Sequence, residues 1–255
     1  MNAGKKLLLF SNWKSNGSIN FVKEFSNNLL NKLSFNQDKV EIVIAPSFIH
    51  IASAKTFVVP TITMGAQNVS HFPNGAYTGE VSAEMIKDFG INWVLVGHSE
   101  RRNYFRETAE ILSAKISMCH EKDLKVLYCV GEKQEEKDAE KTWEVIEKQL
   151  NEIKASIKVW DCIAIAYEPI WLFGTSKTIT PEEIQGIHEQ IRTWINTELG
   201  EDTGYMVRIV YAGPINDTNW NDILSQTDVD GFVVGSQYLS KQFEEIVKLF
   251  NDIEK

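Results

Sequence analysis

Glu168, His98, Lys14 and Asn12 are side chains whose types and surroundings could carry chemistry together. Each stands at or just after the end of a short apolar run: Asn12-Trp13-Lys14 after Leu7 to Phe10, Gly97-His98-Ser99-Glu100 after Trp93 to Val96, and Glu168-Pro169 after Ile163 to Tyr167. Abstracting a proton beside a carbonyl needs a base at the carbon, an electrophile at the oxygen where charge develops, and shelter from water for the enediolate. Glu168 suits the base. Pro169 stiffens the exit, and the segment Pro169 to Thr178 can close as a lid that desolvates the carboxylate. Lys14 can meet developing negative charge as a point charge, and Asn12 can donate to a substrate oxygen. Taken singly, each has a plainer reading as a solvated surface glutamate or lysine, a structural histidine or a bland glycine-containing loop.

The elements that must position these groups follow from hydrophobic patterning. β-rich apolar runs recur at Leu7 to Phe10, Val40 to Ala45, Ile62 to Met64, Trp93 to Val96, Val126 to Val130, Ile163 to Tyr167, Val207 to Tyr211 and Phe232 to Val234, which predicts eight strands. Between them lie helical stripes: Phe21, Phe25, Leu29, Leu33; Trp143, Ile146, Leu150, Ile153; Ile184, Ile187, Ile191, Trp194; and Phe243, Ile246, Phe250, Ile253. Thr180-Pro181-Glu182-Glu183 reads as a helix start, with Thr180 as N-cap and Glu183 closing a capping box. Alternating strands and helices imply a parallel sheet covered by helices, and eight such units favour an α/β fold closed as a single (β/α)8 barrel over residues 1–255. A doubly wound open sheet is the rival, but no GxGxxG follows the first strand. In a barrel of this kind reactive groups collect on the loops after the strands, where the four residues above fall.

Composition narrows the function classes. A formal charge of -9 argues against general nucleic-acid or anionic-membrane binding, so any anion site must be built locally. Cys119, Cys129 and Cys162 show neither CxxC spacing nor a histidine at ligand spacing, so buried thiols are expected and neither a metal nor an organic cofactor is predicted. The N-terminal apolar run is too short for a signal segment and no stretch approaches a membrane span, so a cytoplasmic location is expected. On that expectation the sequons at Asn16, Asn68 and Asn216 are coincidences.

Four blocks carry a more specific signal: Asn12-Trp13-Lys14, Gly97-His98-Ser99-Glu100-Arg101-Arg102, Tyr167-Glu168-Pro169-Ile170-Trp171 and Gly174-Thr175-Ser176-Lys177-Thr178. With Gly65 to Asn68, Ala76 to Glu80 and Asp228 to Phe232, they make the chain resemble the triosephosphate isomerases along essentially its whole length. The resemblance implies a phosphorylated triose substrate, Glu168 as base, and His98 as a neutral imidazole that shuttles protons between substrate oxygens beside Lys14. It also implies substrate contacts from Asn12, Gly174, Gly213, Gly235 and Ser236, with Glu100, Trp171 and Tyr211 supporting the lid and site. A homodimer through the loop around Thr78 is implied too.

The departures cluster at the phosphate. The family usually reads Tyr-Gly-Gly-Ser after strand seven and Val-Gly-Gly after strand eight, whereas this chain has Tyr211-Ala212-Gly213-Pro214 and Val234-Gly235-Ser236. Pro214 has no N–H to donate, so weaker phosphate binding is expected. In the lid, Leu172-Phe173 replaces a smaller pair and Ser176 a glycine, and Ser15 stands where the family carries a larger residue at its dimer contact. Two other functions compete: a non-catalytic barrel that binds a ligand or partner, and an aldolase using Lys14 as a Schiff-base nucleophile.

Overall fold

The structure is a computed structural model that describes residues 5–175 and 177–255. Eight parallel strands close into a barrel in sequence order: β1 (Leu7–Asn12), β2 (Val40–Ala45), β3 (Thr63–Ala66), β4 (Trp93–Val96), β5 (Lys125–Val130), β6 (Ile163–Tyr167), β7 (Arg208–Tyr211) and β8 (Gly231–Val234). Closure is made by β8 on β1, with Leu8 opposite Gly231 and Ser11 opposite Val234. The strands read as unbroken apolar runs because both faces are buried. Leu8, Phe10, Val43, Leu95, Leu127, Ala164 and Val210 fill the barrel, while their alternates Leu9, Ile42, Val94, Val126, Ile165 and Ile209 pack against the helices. A polar plug closes the far end: Glu41 on β2 accepts from Trp93 Nε1 at 2.8 Å and pairs with Arg208 at 2.6 Å.

Val40–Ala45, Trp93–Val96 and Ile163–Tyr167 have the bounds their patterns predict, and the other five differ at one or both ends. The helical stripes hold with one shift of phase. In helix Ile19–Asn28 the buried face is Val22, Phe25 and Ser26, with Phe21 only partly covered, and the regular helix ends before Leu29. Helix Pro181–Leu199 starts as expected: Thr180 accepts from the Glu183 N–H at 3.1 Å and Glu183 accepts from the Thr180 N–H at 3.1 Å. Its inward face adds His188, fully buried, with Nδ1 on Asp228 O at 3.1 Å; burial pushes this imidazole down to about 4, so it is a neutral core group. Helices Phe48–Phe57, Ala83–Asp88, Ser99–Tyr104 and Ala109–Glu121 carry no clean stripe and are seen only in the structure.

Candidate active site

The C-terminal ends of the strands surround one cavity of about 450 Å³. Asn12, Lys14, His98, Glu100 and Glu168 share its wall with Gly174 from the lid segment and with Gly213 and Gly235 from the loops after β7 and β8. Residues as far apart in sequence as Asn12 and Gly235 thus face one space because all follow parallel strands that end on the same side.

Each polar side chain is held by its neighbours. Asn12, the last residue of β1, accepts the Lys14 backbone N–H at 3.0 Å, and this turn puts Lys14 at φ 53, in the left-handed region. Gln67 locks that conformation from outside, donating to Lys14 O at 2.9 Å and to Ala45 O at 2.8 Å. The Lys14 ammonium bonds Glu100 at 2.7 Å and lies 5.8 Å from the centre of the Phe173 ring.

His98 caps helix Ser99–Tyr104. The Glu100 backbone N–H donates to its Nδ1 at 3.2 Å, while the Glu100 carboxylate stands further off at 3.6 Å. Because Nδ1 accepts, the proton sits on Nε2 and the ring is neutral. Nε2 then points at Glu168 Oε1, 3.0 Å away. Glu168, buried at the end of β6, also takes the Ser99 backbone N–H on Oε2 and the Ser99 hydroxyl on Oε1, each at 2.9 Å. Three donors therefore occupy the carboxylate in this conformation. Reaching a substrate carbon requires it to leave Ser99.

Glu168 is set in place through its backbone, whose N–H donates to Val130 O at 2.7 Å. The approach is close enough that a Cβ on Gly131 would lie 1.8 Å from Glu168 O, so only glycine fits there. Next to it stands Glu132, fully buried after β5, which accepts from Trp171 Nε1 at 2.8 Å and from Tyr167 OH at 3.1 Å. Burial holds its carboxyl above the ordinary range against these donors. Trp171 opens the lid segment, so Glu132 anchors the lid at its root.

A neutral imidazole, a buried carboxylate followed by a lid, and a lysine held in a strained turn form a unit suited to moving a proton beside a carbonyl. The family model for triosephosphate isomerase matches residues 7–250. The chain is also 39% identical over 241 residues to the glycosomal triosephosphate isomerase of Trypanosoma cruzi, covering 93% of this chain and 95% of that relative. The chain belongs to the triosephosphate isomerase family.

Within this family member the residues expected at the phosphate are not all alike. Gly174, Gly213 and Gly235 reach the cavity wall; Ser236 is set back from it, and Gln237 and Tyr238 take its place in the 3₁₀ turn that follows β8. Trp171 and Tyr211 are buried and do not line the cavity. The Tyr211 hydroxyl is buried with no hydrogen-bond partner among the described residues, and a Cβ on Gly213 would meet it at 2.1 Å. Leu172 is buried and Phe173 half-exposed, while Ser176 lies outside the described residues. Ser99, Gln67, Glu132 and Tyr238 escape a reading by sequence alone. Glu132 had a usable signal, since it stands just after a strand end as Glu168 does, but it opens a charged run that reads as solvated.

Proposed function

We propose that this chain interconverts dihydroxyacetone phosphate and D-glyceraldehyde 3-phosphate by proton transfer through an enediolate. The observation that carries this reading is the convergence of Asn12, Lys14, His98 and Glu168 on one cavity in a member of the family. Substrate oxygens take over the His98 Nε2–H that Glu168 now holds, Glu168 moves off Ser99 onto the reacting carbon, and Lys14 and Asn12 face the charge that develops on oxygen. Since Pro169 follows Glu168 directly, lid closure and this movement share one stretch of backbone. A coupled assay on the purified protein with glyceraldehyde 3-phosphate tests the proposal. Tight phosphate binding without turnover would favour the non-catalytic barrel, and trapping of substrate on Lys14 by borohydride would favour the aldolase.

The family pattern at the phosphate can be restored by combining Pro214→Ser, Ala212→Gly and Ser236→Gly. Regaining one donor to a charged group is expected to raise kcat/KM about tenfold. An unchanged value would mean that the altered loops already form a competent anion site.

Assembly as an isologous homodimer is part of the same proposal. Thr78 is exposed on the loop before helix Ala83–Asp88, stiffened by Phe72 stacked on Tyr77 at 4.2 Å, and Tyr104 and Phe105 beside the cavity are 79% and 63% exposed. A second copy would cover such an apolar surface. With small, exposed Ser15 at the expected contact, dilution is expected to lower specific activity as the dimer separates, read by sedimentation and assay together. Full specific activity in a monomer would refute this.

Among the described residues no helix is long and apolar enough to cross a membrane. A cytoplasmic location is our reading from the three unpaired cysteines, which suit a reducing compartment.

A further inference from the structure

We propose that the Gln237 carboxamide is a specificity-determining contact to the substrate phosphate, supplying the donor that the loop after β7 lacks. The inference rests on the function proposed above and names a residue within that site. Charged and polar side chains crowd the end of the cavity where the proton moves, around Lys14, His98 and Glu168. The opposite end, between the loops after β7 and β8, is where barrels of this kind hold phosphate. Its donors are few. Pro214 has no N–H, and the next N–H along the loop, that of Ile215, is spent on the Tyr238 hydroxyl at 3.1 Å. That hydroxyl in turn donates to Ile215 O at 2.5 Å, so Tyr238, although it lines the cavity, has no proton to offer a ligand. The Ala212 N–H is taken by Tyr167 O at 2.8 Å.

Among the described side chains that line the cavity at this end, Gln237 is the one that keeps donor capacity. It follows Gly235 in the 3₁₀ turn and folds back over it, so that a Cβ on Gly235 would lie 2.5 Å from Gln237 Oε1 and 3.6 Å from Nε2. The amide is thereby laid along a backbone that itself faces the cavity. The Tyr238–Ile215 clasp fixes the two loops against each other, one residue beyond Gln237 and Pro214, both of which line the cavity, with the Gln237 side chain exposed at its edge. An amide offers two N–H groups to phosphate oxygens without adding charge.

Gln237→Ala is expected to raise KM for glyceraldehyde 3-phosphate about tenfold and to weaken competitive inhibition by inorganic phosphate by a similar factor. Turnover of unphosphorylated glyceraldehyde, which has nothing to place at this end, should stay within about twofold. Gln237→Glu keeps the shape but replaces donors by a carboxylate, and should raise KM further. An unchanged KM in both variants, or an equal loss on the phosphorylated and unphosphorylated substrates, would overturn the inference. Stabilisation of the folded protein by inorganic phosphate on heating reads the same contact without turnover. If the unaltered protein proves inactive but its stabilisation by phosphate falls in both variants, the isomerase reading fails and this one stands. If that stabilisation is indifferent to Gln237, this one fails as well.

Discussion

Shortening Glu168 to aspartate is expected to lower kcat about a hundredfold or more while leaving KM within a few-fold. In the proposed reaction the carboxylate travels from Ser99 to the reacting carbon, and its starting point is set by backbone: the Glu168 N–H on Val130 O and the close pass of Gly131. Neither contact yields to restore a missing methylene. A displacement of about 1 Å at the reacting centre costs on the order of a hundredfold. Because binding depends on other groups, the loss belongs in turnover. Single-turnover measurement of proton exchange into solvent gives the same step directly. If Glu168→Asp turned over at the original rate, the base would have to be sought elsewhere.

Replacing Lys14 by methionine is the second large effect. Removing one preorganised group that meets developing charge costs about 10² to 10³ in kcat, and an ammonium at the cavity wall contributes to binding an anionic substrate as well, so kcat/KM should fall by at least about a hundredfold. Stability should scarcely change. The Lys14–Glu100 pair is about a third and two-fifths exposed, and exposed pairs of this kind contribute roughly 0 to 1 kcal/mol. Methionine is unbranched and lacks only the terminal atom, so it accepts the same backbone no worse than lysine, while Gln67 continues to hold the turn. Thermal unfolding measured beside the kinetics separates the two effects. A protein that lost activity and melted several degrees lower would point to Lys14 as a structural residue of the first loop.

What could be read from the residues was what depends on local pattern. A strand buried on both faces must be a continuous apolar run, so β2, β4 and β6 were legible to the residue. Where burial is one-sided and the stripe is ambiguous, reading was less sharp: Phe21 and Val22 are both apolar, and only the packing of helix Ile19–Asn28 on the barrel chooses Val22. Short helices such as Ser99–Tyr104 have too few turns to show a period at all. The capping box at Thr180 was readable because all its partners lie within one turn of chain.

The amino-acid sequence by itself determined the parallel sheet, the family and the identity of the groups at the strand ends, since eight apolar runs alternating with helical stripes are buried on both faces only under helices and Asn12, Lys14, His98 and Glu168 stand where those runs finish. Tertiary structure alone decided their state. The proton of His98 is placed by a backbone N–H at a helix start, Glu168 is parked by Ser99 at the start of the helix that follows β4, and Glu132 is drawn into the core by Trp171 and Tyr167. The clasp of Tyr238 on Ile215 likewise joins residues 23 positions apart. Hydrogen bonds depend on a few tenths of an ångström and on direction, and across distant segments neither quantity has any trace in residue order until the barrel closes and brings the donors and acceptors together.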